Sequence, residues 1–265
     1  MRAAVAGGRS GRFSECPVDR TSALPDEQSW FGRGDERRPL VSLLDADAQL
    51  GRCVPAAQRQ VARHHLTLSV YTVRRGRWAP SVDLASRPLG YVILSGTLIR
   101  GLCVEHRWST EILGPEDVLR PWDEAEQPPD LLVEDTWTAL ESVRMAILDE
   151  RFAVAAGRWP QLLDELLSRT VRRSRHLATL LSVSGIRRLD ERLLVLLGVL
   201  ADRWGHVSPE GIHVDVRLTH ETLARLACAQ RPSVSTALTR LGRRGLVARK
   251  GRKFVLPFAA EPSAR

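Results

Sequence analysis

The stretch from Leu218 to Val255, LTHETLARLACAQRPSVSTALTRLGRRGLVARKGRKFV, leaves the chain the fewest choices. Apolar residues recur there at helical spacing in two short runs, and the pattern then changes to short strands around a glycine. Between Arg217 and Lys253 stand ten Lys or Arg against a single acid, Glu221. That is +9 on one small segment of a chain whose formal total is +8, so everything else sums to about −1. Basic charge gathered on one element is the electrostatic footprint of a polyanionic partner.

The local grammar predicts helix, tight turn, helix and a two-stranded hairpin. Thr219 can cap the first helix through its hydroxyl. Thr222 stands where a capping box would place Glu or Gln, so the box is absent. Leu223, Leu226 and Ala227 form one apolar stripe, and Cys228-Ala229 fills the turn. The second helix opens near Gln230–Pro232, because Pro is tolerated in a first turn. Val234, Leu238 and Leu241 then face inward. Arg231, Ser233, Ser235, Thr236, Thr239 and Arg240 face outward. Gly245 closes the helix as a C′ residue. Leu246-Val247-Ala248 and Lys253 to Leu256 flank a turn at Gly251 and make a two-stranded wing.

These residues resemble the C-terminal winged helix of the Crp/Fnr family of bacterial transcription regulators. The matching positions are Thr219, Leu223-Ala224, Arg231, Ser233-Val234, Leu238, Leu241 and Gly245-Leu246-Val247. Three positions depart from the family pattern: Cys228 stands for the turn Gly, Gln230 for the capping Ser, and Pro232 for a Glu that many members use to read a base. The resemblance implies a recognition helix in the major groove, where base edges carry a distinct donor–acceptor code. On that model Arg231, Ser233, Ser235, Thr236 and Arg240 read bases. Thr219 and His220 at the first helix N-terminus, with Thr239, Arg243 and Arg244, hold phosphates. Arg249, Lys250, Arg252 and Lys253 hold the flanking backbone from the wing. The family also implies a homodimer on a palindromic duplex operator, with RNA polymerase as a further partner.

At 265 residues the chain has room for two modest domains, and 43% hydrophobic content can fill their cores. Aromatics are only 5%, so those cores are expected to be Leu, Val and Ala. Cys16, Cys53, Cys103 and Cys228 show no C-x₂-C pairing, so neither zinc nor a cysteine-held cluster is suggested. They read as reduced thiols of a cytoplasmic protein. No apolar run reaches the ~18 residues of a membrane helix, and residues 1–10 lack a signal-peptide core.

The expected fold class is α+β. Residues 1–38 read as a disordered leader. Residues 39–158 read as an N-terminal antiparallel β-roll of jelly-roll type, because short strand-like segments recur every 8–12 residues between Gly and Pro. A short helix is expected at LVSLLDADAQLG, and another from Pro55 to Leu66 with Ala57, Val61 and Ala62 inward. The strands are expected at Leu66–Val73, Gly90–Ile99, Trp108–Leu113, Val118–Pro121, Trp137–Leu140 and Val143–Leu148. GYVILSGTLIRG resembles the central hairpin of cyclic-nucleotide-binding rolls, and GPEDV the turn that follows, usually Gly-Pro-Gly-Asp. After a short helix over Leu148–Ala156, residues 159–185 form a long breaker-free helix. Leu163, Leu167, Thr170, Ser174, Leu177 and Leu181 repeat at alternating spacings of four and three, a heptad seam. Leu162, Leu166 and Leu180 widen that stripe. The family's equivalent helix pairs with its twin. Residues 186–265 form the DNA-binding domain, opening with a Leu-rich helix over Leu189–Trp204 and a hairpin over Gly205–Arg217.

The sensing side carries less signal. No cofactor is identified; the roll either senses an unknown small-molecule effector or only holds the dimer. Members that bind cyclic AMP show Gly-Glu-(Leu/Ile/Val) and Arg-(Ser/Thr)-Ala. Here the corresponding RPWDEAEQPPDLLVEDT has neither, and Asp123, Glu124, Glu126 and Asp130 would repel a phosphate. The Thr-Ser pair that contacts the base falls near Leu177-Ala178. Thr170 and Ser174 are polar seam positions open to a ligand role. Trp78, Trp108, Trp122 and Trp137 serve either a pocket or a core. A different class is a cupin-like metal-dependent enzyme with an accessory nucleic-acid domain, yet His64, His65 and His106 form no His-x-His. A third is an RNA-binding module, for which no motif is visible.

Overall fold

The structure, a computed structural model, describes residues 38–80, 88–104, 107–121, 133–251 and 253–258. The leader over residues 1–37, the acidic segment containing Trp122, and His106, Cys16 and Arg252 lie outside them. Leu40–Ser42 is a short strand, β1, where the sequence suggested helix, and it runs into α1 (Leu43–Ala46) and α2 (Ala48–Cys53). One 3₁₀ turn, Ala56–Gln58, leads to α3 (Arg59–His65). On α3 only Ala62 turns inward; Ala57 and Val61, expected with it, are exposed. A helix of two turns lying on the roll's rim has one narrow contact line, and Ala62 occupies it.

The roll is built from β2 (Thr67–Val73), β3 (Gly76–Trp78), β4 (Gly90–Ser95), β5 (Leu98–Val104), β6 (Arg107–Leu113), β7 (Val118–Leu119), β8 (Val133–Ala139) and β9 (Val143–Leu148). They form two antiparallel sheets, ordered β1-β2-β9-β4-β7 and β3-β8-β5-β6. GYVILSGTLIRG is therefore not one strand and not a paired hairpin. β4 pairs with β7 and β9, whereas β5 pairs with β6 and β8. The chain turns the corner between sheets at Gly96, whose φ is +87°. A Cβ there would sit 2.4 Å from the Ser142 carbonyl oxygen, so only glycine fits. The turn over GPEDV places Glu116 at φ +75°, the position where the resembling motif carries Gly.

Between the sheets lie Ile93, Leu98, Leu113, Leu119, Trp137 and Met145. Trp137 is a core residue: Trp78 meets it edge-on at 5.6 Å, and its indole N–H donates to Asp135 at 2.9 Å. A second cluster joins the roll to the helices, with Leu50, Leu66, Phe152, Trp159, Leu162 and Leu166 buried together. Phe152 belongs to α4 (Glu150–Ala156), which Asp149 caps at 2.9 Å.

α5 spans Pro160–Ser184 and has two faces. Leu162, Leu166, Arg169 and Val183 are buried against the rest of the chain. Leu180 is half-buried against the C-terminal core. These leucines do not widen the heptad seam; they make a separate stripe facing the chain itself. The seam is left open: Leu163 is 41% exposed, Leu167 64% and Leu181 71%, and Thr170 and Ser174 are exposed between them.

Two arginines one turn apart fasten α5 to the roll. Arg169 donates to both Asp47 oxygens at 2.5 and 2.9 Å and to Glu165 at 3.0 Å. Asp47 at the same time caps α2, accepting from the Leu50 backbone N–H at 3.0 Å. Arg173 donates to both Glu111 oxygens at 2.6 and 2.8 Å. The C-terminal domain follows: α6 (Leu189–Trp204), β10 (Gly205–Ser208), β11 (Gly211–Val214), α7 (His220–Leu226), α8 (Arg231–Arg243), β12 (Ala248–Lys250) and β13 (Lys253–Leu256). The wing is wider than a two-stranded hairpin, since β11 pairs with β13 and gives a sheet ordered β10-β11-β13-β12.

Breaking a buried ion pair from one side leaves an uncompensated charge. Asp47→Ala is expected to cost about 3 kcal/mol in urea denaturation, because it strands Arg169 and uncaps α2. Asp45→Ala, which breaks the exposed pair with Arg63 at 2.9 Å, is expected to cost under about 1 kcal/mol. Equal losses in the two variants would show that burial does not set the strength of these pairs.

Candidate nucleic-acid interface

α7 begins where the sequence places it. Thr219 accepts from the Thr222 backbone N–H at 3.0 Å, and the two hydroxyls meet at 2.9 Å. Leu223, Leu226 and Ala227 are buried. The helix ends in a Schellman closure: Ala229 N–H donates to the Ala224 carbonyl at 2.9 Å, and Cys228 N–H to Arg225 at 3.2 Å. That closure puts Cys228 at φ +48°, a left-handed conformation that favours glycine. Cys228 is exposed.

α8 begins at Arg231 with Gln230 at its cap and no side-chain capping bond. Its end repeats the device of α7. Leu246 N–H donates to Leu241 at 3.0 Å and Gly245 N–H to Gly242 at 3.0 Å, with Gly245 at φ +68°. Val234, Ala237, Leu238 and Leu241 are buried. They meet Leu193, Leu196, Leu197 and Leu200 of α6 in one core. Arg192 locks the assembly, donating to Ile186 O at 2.8 Å through Nε and to Ala227 O at 2.8 Å through Nη1.

The outward face of α8 carries Arg231, Ser233, Thr236, Thr239, Arg240, Arg243 and Arg244, all exposed. Arg231, Arg243 and Arg244 have no ion-pair partner among the described residues. Arg240 differs. It binds Asp190 of α6 through two bonds of 2.9 and 2.6 Å, and Arg240 holds the Asp190 carboxyl below its ordinary value. Ser235 is turned partly inward, its hydroxyl 2.8 Å from His220 Nδ1. The other ring nitrogen of His220 lies 3.3 Å from Arg249 on the wing. His220 thus bridges α7, α8 and β12. Burial, then the charges of Arg249 and Arg231, depress its pKa.

The wing is less free than its sequence suggests. Lys250 pairs with Glu210. Lys253 donates to Asp215 at 2.6 Å, and His206 approaches the same carboxylate at 2.5 Å. Burial alone would raise Asp215, but Lys253 and His206 hold it low. These acids come from the β10–β11 hairpin. The pairing of that hairpin with the wing through β11 and β13 is a tertiary fact that local sequence does not show.

Residues 187–258 match the model of the Crp-like helix-turn-helix domain. That stretch, α6 through the wing, is therefore a Crp-like helix-turn-helix domain. A segment of 100 residues is 31% identical to the regulatory protein CysR of Synechococcus elongatus; it covers 36% of this chain and 48% of CysR, so the match spans about half the relative's length. The fold is similar to a cyclic nucleotide-binding domain containing protein of Listeria monocytogenes, with TM-score 0.59, 19% identity, and 78% and 95% of the two chains covered. It is also similar to a CooA mutant of Carboxydothermus hydrogenoformans, with TM-score 0.53, 19% identity, and 71% and 83% covered. FixK2 of Bradyrhizobium japonicum gives TM-score 0.53, 17% identity, and 71% and 92% covered.

The roll offers less than the winged helix. Leu177, where the base-contacting pair falls, is half-buried, and Ala178 beside it is exposed. The four acids expected to repel a phosphate, Asp123, Glu124, Glu126 and Asp130, lie outside the described residues. The cupin-like alternative is not favoured, because residues 187–258 match a Crp-like helix-turn-helix domain. His65 of α3 is 3.3 Å from Arg158, and His64 packs beside it edge-on.

Cys228→Gly is expected to raise stability by up to about 1 kcal/mol in thermal or denaturant unfolding, since glycine meets no Cβ penalty at positive φ. Cys228→Val is expected to lower it. Stabilisation by valine would contradict the left-handed turn.

Proposed function

We propose that the chain is a homodimeric transcription regulator that reads a palindromic duplex operator and is not an enzyme. The observation that carries this is α8. One face of it is buried on Leu-rich α6, while the other presents an unpaired Arg231 beside exposed Ser233 and Thr236. An α-helix so mounted fits the major groove, and arginine can donate two hydrogen bonds to a guanine edge. Arg243 and Arg244, later on the helix, suit phosphates, as do Thr219, His220 and Thr239. Arg249, Lys250 and Lys253 extend the backbone contacts along the wing. In this proposal Arg240 is shared between Asp190 and DNA, and DNA must compete for it.

The dimer is supported by the seam on α5, where Leu163, Leu167 and Leu181 are exposed at heptad spacing. Two copies related by a two-fold axis would place two recognition helices about one helical turn apart. RNA polymerase is the further partner on which such a regulator acts, and the cytoplasm its place. Among the described residues no helix is long and apolar enough to cross a membrane. Cyclic AMP is not the proposed effector, because the chain lacks the Gly-Glu and Arg-Ser-Ala elements that hold a cyclic phosphate.

Selection of bound duplexes from a random pool tests the proposal, and enrichment of a palindrome is the expected result. Arg231→Ala should cost about 1–3 kcal/mol of discrimination at one base position. Equal loss on operator and random DNA would rule out base reading by Arg231. Replacing Lys250 and Lys253 together by Ala should instead weaken all duplexes and reduce the slope of log affinity against log salt by about 1–2. An unchanged slope would leave both lysines to their partners Glu210 and Asp215.

A further inference from the structure

A cavity of about 830 Å³ lies where the roll, α5 and α6 meet. Its size is within the range of small-molecule sites. Two polar groups in its walls are unusual. Arg203 of α6 pairs with Asp117 through Nη2, but its Nη1 is buried with no hydrogen-bond partner in the protein. His176 of α5 likewise has a buried, unpartnered Nε2. Burial, then the Arg203 charge, lower its pKa to about 4, so the ring is neutral at physiological pH. Buried polar atoms are nearly always hydrogen-bonded, so these two, just beneath the cavity surface and within reach of it after a small side-chain rotation, mark a wall whose polar groups the chain itself leaves unsatisfied. Arg175, exposed on the same cavity, has no ion-pair partner among the described residues.

The remaining wall is apolar. Val195, 42% exposed, and Val199 line it with the Trp204 ring, over which the Arg203 guanidinium carbon sits at 4.4 Å. Gly198 opens space between them, since a Cβ built there meets nothing within 4 Å. Exposed Glu116 and Asp202 also face the cavity, so a ligand of high negative charge would be repelled. The heptad seam lies on the other side of α5. A helix turns about 100° per residue, which sets Leu163, Thr170 and Ser174 away from Arg172, His176 and Thr179. A twin helix on the seam would approach α5 from the face opposite the cavity.

We propose that this cavity binds a small organic acid with one carboxylate and an apolar body, the carboxylate on Arg203, His176 and Arg175 and the body against Val195, Val199 and Trp204. This goes beyond DNA recognition and does not depend on it. The ligand would touch three elements at once, so it would favour one arrangement of roll and winged helix over another to the extent that it binds that arrangement better.

Calorimetric titration of the full chain with benzoate, 4-methylvalerate and inorganic phosphate tests the site directly. Saturable binding of at least one carboxylate is expected, with phosphate weaker by about tenfold or more. Arg203→Gln would strip buried Asp117 of its partner and can unfold the domain, so Gly198→Leu and Arg175→Ala are the informative variants. Gly198→Leu fills open space on a helix, and its melting temperature should not fall. Each variant should weaken the carboxylate by at least about tenfold. Absence of binding by both carboxylates up to about 10 mM, phosphate binding as well as they do, or undiminished binding by Gly198→Leu would overturn the proposal. Because the readout is heat of ligand binding, loss or retention of operator binding bears only on the DNA interface.

Discussion

One guanidinium holds three parts of the chain in register. Arg169 is almost wholly buried, and its bonds reach Asp47 at the cap of α2, Glu165 on its own helix and the Glu116 carbonyl in the turn before β7. Burying a charge costs several kcal/mol unless partners surround it, so the geometry that satisfies Arg169 is narrow. That narrowness fixes which way α5 is turned. With Arg169 and Arg173 facing the roll, Leu163, Leu167 and Leu181 must face out. The open seam is thus a product of inward-facing arginines as much as of outward-facing leucines.

Much of the C-terminal quarter was legible because its signals are local. The Thr219 cap, the Pro232 first turn, the Gly245 closure and the buried stripes each depend on residues within a few positions of one another. The long helix was equally plain, since nothing between Pro160 and Ser184 breaks it. What stayed hidden depends on distant partners. Arg169 and Asp47 are 122 residues apart, and no periodicity joins them. β4 and β5 look like one hairpin in sequence; their division between two sheets is settled by which strands flank them. The same holds for Arg240, whose outward position is a helical fact but whose pairing with Asp190 is a tertiary one.

The charge of the winged helix is therefore graded. Among the described residues Arg231, Arg243 and Arg244 project without acidic partners, whereas Arg240, Lys250 and Lys253 each carry one. Exposed pairs of this kind contribute little to stability. Their effect is to lower the positive field along part of the surface and concentrate it at the ends of α8. A formal count of ten cations over the segment overstates what an approaching polyanion meets.

The last turn of α6 passes straight into β10, and β10 is the outer strand of the sheet whose far edge is β12. α6 also lines the cavity beneath the roll through Trp204, whose indole would collide with any side chain at Gly114. Strand pairing makes the hairpin and the wing a single plate. Any rotation of α6 is thus handed through paired strands to β12, the basic edge of the plate.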